Sequence, residues 1–215
     1  MALTADSSLL GIAVELRGVS HTYKTHPVFI PVSVQLPSGS ECLIRGTNGS
    51  GKSTLGRIIA GELTAAIGSV HWSREDESLD ADALCTKSQR ISPVSTLHPQ
   101  LTIAELVEFQ SQFQTKAAES AAYDLLHKAG LAKQMEKAFR ELSSGMQQRV
   151  KLAMALASQA ELIVLDEPCV NLDASGIAWY REALEEIKGR ATLVICSNNR
   201  SEDFIDPNFI LDLIV

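Results

Sequence analysis

The chain has 215 residues, of which 45% are hydrophobic, so it can bury a sizeable core as one globular domain rather than remain disordered. Acidic residues outnumber Lys and Arg by 26 to 19, and the formal charge of −7 argues against nucleic acid as a main partner. No run approaches the ~20 apolar residues of a membrane-spanning helix, and residues 1–10 lack the basic start and apolar stretch of a signal peptide.

The cysteines and histidines show no spacing typical of a metal site. Cys42, Cys85, Cys169 and Cys196 form no C-x-x-C pair, and Cys42 and Cys196 lie within apolar runs. We therefore expect reduced thiols, most of them in the core, as in a cytosolic protein. The five histidines have no ligand spacing, so we expect no metal site built from them.

The first third of the chain predicts strands followed by one helix. Apolar or alternating runs predict strands at residues 14–17, 28–36, 41–45 and 68–72. Residues 53–60 predict a helix that ends at Gly61, so a strand, a loop and a helix follow one another there. The polar stretch at residues 73–81 predicts an exposed excursion.

The middle of the chain predicts helices. Thr102 and Glu105 have the spacing of a capping box, and residues 117–128 predict a further helix that ends at Gly130. This helix-rich stretch, residues 93–155, interrupts an alternation of strands and helices. It therefore predicts an inserted helical subdomain.

The last third returns to alternation. It predicts strands at residues 162–165, 192–196 and 209–214 and a helix at residues 175–188. Strands that are apolar almost throughout indicate a sheet covered on both faces, with largely parallel strands. The predicted fold class is therefore α/β.

Residues 46–53 match the phosphate-loop pattern G-x-x-x-x-G-K-S/T between a predicted strand and a predicted helix. In such a loop the backbone amides and the helix N-terminus hold phosphates, the lysine reaches the β and γ phosphates, and the hydroxyl binds Mg²⁺. The candidate nucleotide-binding residues are Asn48, Gly49, Ser50, Gly51, Lys52, Ser53 and Thr54. An accidental match is the alternative, which the strand-loop-helix context weakens.

An apolar strand at residues 162–165 ends in the acids Asp166 and Glu167. Acids at the carboxyl end of a parallel strand would emerge beside the phosphate loop. Asp166 is a candidate Mg²⁺ ligand, directly or through water, and Glu167 a candidate catalytic residue that orients or deprotonates the attacking water. The alternative is an ordinary turn with solvated acids, and the upstream loop favours the functional interpretation.

Residues 142–149 read Leu-Ser-Ser-Gly-Met-Gln-Gln-Arg and precede a helical run. One interpretation is that Ser143 and Ser144 are no more than a helix cap. The segment also resembles the L-S-G-G-Q signature of ATP-binding cassette proteins, with Ser143 and Gly145 matching and Ser144 and Met146 departing from it. The resemblance implies that Ser143 and Gly145 of one cassette contact the γ-phosphate held by a second, head-to-tail cassette.

Further matches extend the resemblance from Tyr23 to about Asn198. Tyr23 stands where the family has an aromatic that stacks on adenine, and a core aromatic is the alternative. Residues 171–173 resemble the D-loop, in which Asp173 would act across the dimer or cap a helix. Residues 97–102 are similar to the stretch that follows the family's Q-loop.

Two positions depart from the family's pattern. The Q-loop glutamine falls on or beside Pro93, and Gln89 could replace it only from a shifted loop. The switch histidine is replaced by Asn198, or by Asn199 beside it, and an amide can hydrogen-bond a γ-phosphate but cannot take a proton. These changes suggest altered or slower hydrolysis. The catalytic candidates are Glu167, Lys52 and Asn198. Because Lys52, Ser53, Asp166 and Glu167 are all present, the sequence still predicts a working ATPase.

The resemblance implies the ATP-binding and ATP-hydrolysing subunit of an ABC transporter, of the short type found in heme-export and lipoprotein-release systems. ATP and Mg²⁺ would be its cofactors. Its partners would be a second cassette, identical or different, and a multispanning membrane subunit, with no nucleic acid expected. The expected location is cytoplasmic, on the inner face of the cell membrane.

The expected domain organisation is a single cassette, residues 1–215, with a mainly parallel core sheet and an antiparallel N-terminal β subdomain. Residues 1–92 and 156–215 would form the nucleotide-binding core and residues 93–155 the helical subdomain. Two other functions stay open: a soluble cassette that acts as an assembly switch or clamp, as in iron-sulfur scaffold machinery, and a small P-loop kinase. A kinase would not explain the signature-like segment.

Overall fold

The computed structural model describes residues 11–24, 26–75 and 77–213. The strands are β1 (Ala13–Ser20), β2 (Thr22–Tyr23), β3 (His26–Pro27), β4 (Val32–Leu36), β5 (Glu41–Arg45), β6 (Ile67–Arg74), β7 (Glu77–Leu79), β8 (Ser88–Ile91), β9 (Leu162–Asp166), β10 (Thr192–Ser197) and β11 (Phe209–Asp212). The α-helices are α1 (Lys52–Ile59), α2 (Ala81–Cys85), α3 (Ile103–Ser111), α4 (Lys116–Lys128), α5 (Ser144–Ala157) and α6 (Ala174–Ile187). Short 3-10 turns at Ala132–Gln134 and Phe139–Glu141 connect α4 to α5.

The strands form a parallel core sheet and an antiparallel sheet. The core sheet has the order β11-β5-β10-β9-β8, and each neighbouring pair in it is parallel. The second sheet, β4-β1-β6-β7, is antiparallel, and β2 pairs with β3 as a small hairpin. The predicted α/β class, with its antiparallel N-terminal part, is confirmed.

Both faces of the core sheet are buried, and successive residues of β9 show why its sequence is apolar throughout. Leu162 and Val164 join the cluster that contains α1 and the antiparallel sheet, whereas Ile163 and Leu165 join the cluster of the helical layer. Each residue of the strand therefore has an apolar neighbour on one face or the other.

The helices of the middle segment begin and end where the sequence indicates. Thr102 Oγ1 accepts a hydrogen bond from the Glu105 amide at 3.1 Å, and a Glu105 carboxylate oxygen accepts one from the Thr102 amide at 2.8 Å. Helix α4 ends before Gly130, which has a left-handed φ of 77°. The bounds proposed for the helical subdomain, 93–155, stay a prediction.

Three stretches differ from the sequence-based expectation. The run at residues 28–36 forms a strand only from Val32, because Phe29 turns into the core and is 2% exposed. The excursion at residues 73–81 contains β7, which pairs with β6. The sequence did not predict β8, an edge strand whose first three residues are polar.

The last predicted strand, at residues 209–214, ends at Asp212 as β11, and residue 214 lies outside the described residues. Among the described helices, none combines the length and the hydropathy needed to cross a bilayer.

Candidate functional site

The candidate residues gather at the carboxyl edge of the core sheet. Strand β10 lies between β5 and β9, with Ser197 beside Arg45 and Cys196 beside Asp166. Since all three strands run in parallel, the loops that follow them leave the same edge. The glycine-rich loop follows β5, the acidic pair lies at the end of β9, and Asn198 follows β10.

The N-terminus of α1 is open where the other α-helices are capped. Helices α2 to α6 each have a side-chain acceptor for an N-terminal amide, provided by Asp80, Thr102, Thr115, Ser143 and Asp173. Helix α1 is instead preceded by Gly51, which has a φ of 92° and no side chain to cap it. A Cβ there would lie 2.5 Å from Val28 Cγ1. The α1 amides are therefore free to bind an external anion.

Lys52 places a positive charge on the same loop. Its Nζ donates hydrogen bonds to the carbonyl oxygens of Gly46 at 2.8 Å and Thr47 at 2.9 Å, and the residue is buried. The hydroxyl of Ser50 is also buried and has no hydrogen-bond partner among the described residues. A cation, open amides and an unsatisfied hydroxyl together fit a phosphate group.

Two adjoining cavities flank this loop. The first, of about 570 Å³, is lined by Tyr23, His26, Pro27, Val28, Asn48, Gly49, Gly51, Lys52, Ser53, Thr54 and Glu167. The second, of about 540 Å³, shares Tyr23, Ser53, Thr54 and Glu167 and adds Asp166. Tyr23 is 49% exposed, and its ring meets the His21 ring in a T-shaped arrangement, so its interpretation as a core aromatic is wrong.

Asp166 is a buried carboxyl group that forms no salt bridge with any described residue. Burial raises its pKa, while the nearby Ser53 hydroxyl and the positive charges of Arg90 and Lys52 act in the opposite direction. A carboxylate and a hydroxyl facing one another are hard oxygen ligands of the kind Mg²⁺ prefers. The residues present therefore fit a magnesium ion.

Glu167 has a strained backbone. Its φ is 47°, a left-handed value that costs a non-glycine residue roughly 1 kcal/mol or more. Its amide donates a hydrogen bond to the Cys196 carbonyl oxygen at 2.8 Å, which attaches the start of the acidic loop to β10. Glu167 lines both cavities, so this conformation places the residue at the site.

Four predicted site residues line neither cavity: Ser50, whose buried hydroxyl is described above, and Ser143, Gly145 and Asn198. Ser143 Oγ caps its own helix by accepting a hydrogen bond from the Met146 amide at 3.3 Å. Gly145 is packed so that a Cβ would lie 2.7 Å from the Asn171 carbonyl oxygen. Asn198 is exposed just beyond β10.

Asp173 acts within the chain as a helix cap. Its Oδ1 accepts a hydrogen bond from the Gly176 amide at 2.8 Å, and the same oxygen pairs with Arg149. The cap interpretation is therefore correct, and a role across a dimer stays a prediction.

Sequence analysis missed the charged residues Arg57, Glu62 and Arg90, which line the second cavity. Arg90 Nε donates to Glu62 Oε2 at 2.7 Å. Pro93 lines the same cavity, whereas Gln89 points into a different groove, so Gln89 does not replace the Q-loop glutamine. Arg90, three residues before the Q-loop position, was a signal for a charge at the site, but its use depended on recognising β8, which carries it.

That groove, of about 940 Å³, lies between the amino ends of β8 and β9 and the helical layer; we call it the subdomain groove. Its lining residues are Cys85, Thr86, Lys87, Ser88, Gln89, Thr96, Leu97, His98, Leu101, Leu106, Phe109, Gln110, Phe113, Gln114, Met154, Ser158, Gln159, Ala160 and Glu161. Phe109 and Phe113 are 55% and 75% exposed, and their rings meet edge to face at 5.5 Å. The groove is therefore an exposed apolar surface.

The family model described as ABC transporter matches residues 29–170 of this chain, which include the glycine-rich loop, the signature-like segment and the acidic pair. The chain belongs to the ABC transporter family. Among relatives, it is 32% identical over 175 residues to the cytochrome c biogenesis ATP-binding export protein CcmA of Paramagnetospirillum magneticum, covering 80% of this chain and 81% of that protein. It is 28% identical to the lantibiotic transport ATP-binding protein SrtF of Streptococcus pyogenes, covering 88% and 81%.

Solved structures agree with this membership. The ATP-binding cassette MJ0796, in a dimeric post-hydrolysis state bound to ADP and Pi, has a TM-score of 0.76 and 27% identity to this ABC protein. The match covers 88% of this chain and 90% of the other. An ATP-binding protein from Pyrococcus furiosus, 22% identical over 94% of this chain and 97% of its own, has a TM-score of 0.78 and shares the fold.

Proposed function

We propose that this ABC protein is the ATP-hydrolysing subunit of an exporter whose membrane path is formed by another polypeptide. The convergence of the open α1 N-terminus, Lys52 and the acidic pair at one sheet edge carries this proposal. The names of the relatives, which include export and transport proteins, support export over the soluble assembly switch.

In this proposal the nucleotide occupies the two adjoining cavities. The amides of residues 48–54 and the N-terminus of α1 hold its phosphates, because no side chain caps the start of this helix. Lys52 exchanges its loop carbonyl partners for phosphate oxygens. Tyr23 has an exposed ring at the rim on which adenine can stack.

Ser53 and Asp166 would hold magnesium, which when bound neutralises charge on the transferred phosphoryl group. Glu167 lines both cavities and would orient the attacking water and accept its proton. The exposed amide of Asn198 would donate to the γ-phosphate from the end of β10. Since an amide takes no proton, all acid-base work falls to Glu167.

Glu167→Gln tests the site. The variant should bind ATP with a Kd within about 3-fold of wild type and lose at least about 100-fold in kcat, because the amide cannot accept a proton. Calorimetry and phosphate release measure the two quantities. Glu186→Gln, which alters an exposed carboxylate paired with Lys128, is the control and should keep wild-type kcat. An unchanged kcat in Glu167→Gln would refute the assignment.

A second cassette would complete the site. Ser143 and Gly145 line neither cavity of their own chain, so only another copy or a related cassette could bring them to the bound nucleotide. The dimeric state of MJ0796 supports such a pair. In the Glu167→Gln variant, ATP should convert monomers to dimers in size-exclusion chromatography with light scattering.

The subdomain groove would receive the membrane subunit, at the inner face of the cell membrane. Its aromatic side chains are exposed. In the proposed organisation, the chain is a single cassette with its core at residues 1–92 and 156–215. The helices that line the groove belong to the subdomain at residues 93–155. Purification from detergent-solubilised membranes should recover a multispanning protein together with this chain. Recovery with soluble proteins alone would contradict the transport proposal.

A further inference from the structure

Asp203 is a fully buried acidic residue that lies outside every motif of the nucleotide site. It is 0% exposed, and within the described ranges no Lys, Arg or His nitrogen lies within salt-bridge distance of its carboxyl group. A buried carboxyl group is costly unless hydrogen bonds satisfy it. The hydrogen-bond partners of its carboxyl group therefore indicate its structural role.

The two carboxyl oxygens of Asp203 connect two different loops. Oδ1 accepts a hydrogen bond from the Cys169 amide at 3.1 Å, and Oδ2 accepts one from the Ser197 hydroxyl at 2.6 Å. Cys169 lies two residues after Glu167, and Ser197 immediately precedes Asn198. One side chain thus joins the loop of the acidic pair to the end of β10.

The segment around Asp203 is itself fixed to the helical layer. The Tyr180 hydroxyl donates to the Asp203 carbonyl oxygen at 2.8 Å, and Cys169 Sγ donates to the Glu202 carbonyl oxygen at 3.2 Å. Arg181 Nη1 donates to the carbonyl oxygens of Ser201 at 3.0 Å and Phe204 at 3.1 Å. Asp203 is therefore a fixed point rather than a mobile acceptor.

We propose that Asp203 is a positioning residue for ATP hydrolysis, which holds Glu167 in its left-handed conformation and sets its spacing from Asn198. A strained residue persists only when its surroundings over-determine it. Before the bend, the Glu167 amide is anchored on Cys196; after it, Gln148 Nε2 donates to the Pro168 carbonyl oxygen at 2.8 Å and the Cys169 amide donates to Asp203. Of these anchors, the Asp203 bond is the one that ties the acidic loop to the end of β10 on the far side of Glu167, and without it the loop can relax and withdraw the carboxylate. This inference rests on the proposed function.

The test compares Asp203→Ala, Asp203→Asn and Tyr180→Phe in steady-state ATP hydrolysis by the whole chain. Asp203→Ala should lower kcat at least about 10-fold and leave KM for ATP within about 3-fold, because positioning is lost while the phosphate loop is intact. Asp203→Asn should restore kcat to within about 3-fold of wild type, since its oxygen still accepts from Cys169 and its nitrogen can donate to Ser197 Oγ.

Tyr180→Phe is the control for a role in folding alone. It removes a hydrogen bond to the main-chain carbonyl of Asp203 and leaves the carboxyl group of Asp203 in place. Tm should therefore fall by about 3 °C while kcat stays within about 2-fold. Wild-type kcat in Asp203→Ala, or equal losses of kcat in Asp203→Ala and Tyr180→Phe, would overturn the proposal.

If Asp203→Ala fails to fold, Ser197→Ala removes one of the two bonds and decides the question. Its kcat should fall about 3-fold to 10-fold at unchanged KM, and a wild-type kcat would overturn the proposal. Failure of the wild-type chain to hydrolyse ATP would instead refute the proposed function. The two failures are therefore distinguishable.

Discussion

The nucleotide cavities and the subdomain groove lie at opposite ends of the same parallel strands and are built differently. The cavities take consecutive residues of one loop, together with acids from the end of β9. The groove takes apolar side chains mainly from α3 and the loop before it and from α5, and polar side chains from the start of β8. Backbone amides and charges define the first site, and side-chain shape defines the second.

The difference shows which kinds of site leave a local trace in a sequence. A phosphate loop requires glycines with left-handed φ, such as Gly49 and Gly51, and a lysine at a fixed spacing. An apolar groove has no such requirement, because any large hydrophobic side chain can fill it. The groove is visible only once the helices are packed.

The largest effect that would sharpen this comparison comes from a charge placed in the groove. Phe113→Asp should lower the yield of co-purified membrane protein at least about 10-fold, because a carboxylate buried against an apolar partner costs roughly 2 kcal/mol or more. Quantitative blotting of the detergent-solubilised complex measures the yield. The substitution replaces a side chain that is 75% exposed, so the chain should still fold.

Ile210→Asp is the matched control for Phe113→Asp. Ile210 is a 55% exposed hydrophobic residue on β11 and lies outside the groove. Its substitution should retain the membrane protein. An equal loss of membrane protein in the two variants, or full retention of it by Phe113→Asp, would refute the groove as the docking surface.

The sequence predicted features that depend on neighbouring residues. The capping box of Thr102 and Glu105 needs only a spacing of three, and the apolar run of β9 needs only burial on both faces. Strand β8 was missed because an edge strand tolerates polar residues, and Arg90 was missed with it. Asp203 meets Cys169 across 34 residues of chain, and nothing in the local sequence encodes that contact.

A smaller effect separates two helix caps of the same kind. Ser143 Oγ and Thr115 Oγ1 each accept one amide hydrogen bond at the start of a helix, so Ser143→Ala and Thr115→Ala should each cost about 1 kcal/mol in the free energy of unfolding. Only Ser143 belongs to the signature-like segment.

In the Glu167→Gln background, Ser143→Ala should therefore weaken ATP-driven dimerisation about 10-fold, whereas Thr115→Ala should not change it. Denaturant unfolding and light scattering measure the two quantities. Loss of dimers in both variants would reduce the role of Ser143 to that of a cap.

The smallest perturbation uses the thiols to distinguish the groove from the core. Burial raises the pKa of Cys42 to about 12 and also raises the pKa of Cys169 and Cys196. The thiolate is the reactive form, so at pH near 7.5 these buried thiols should resist a maleimide until the chain unfolds. Cys85 is exposed at the groove and should react first, with a stoichiometry of one label per chain.

A bulky maleimide on Cys85 should then obstruct the groove and reduce retention of the membrane protein, while ATP binding at the opposite edge stays within about 2-fold of the unlabelled chain. Cys85→Ser, treated with the same reagent, should keep full retention. Rapid labelling of a second thiol in the folded chain would mean that the core opens near the site. Full retention by the labelled chain would place the partner away from Cys85. It would then contradict the assignment of the nucleotide and the membrane partner to opposite ends of the strands.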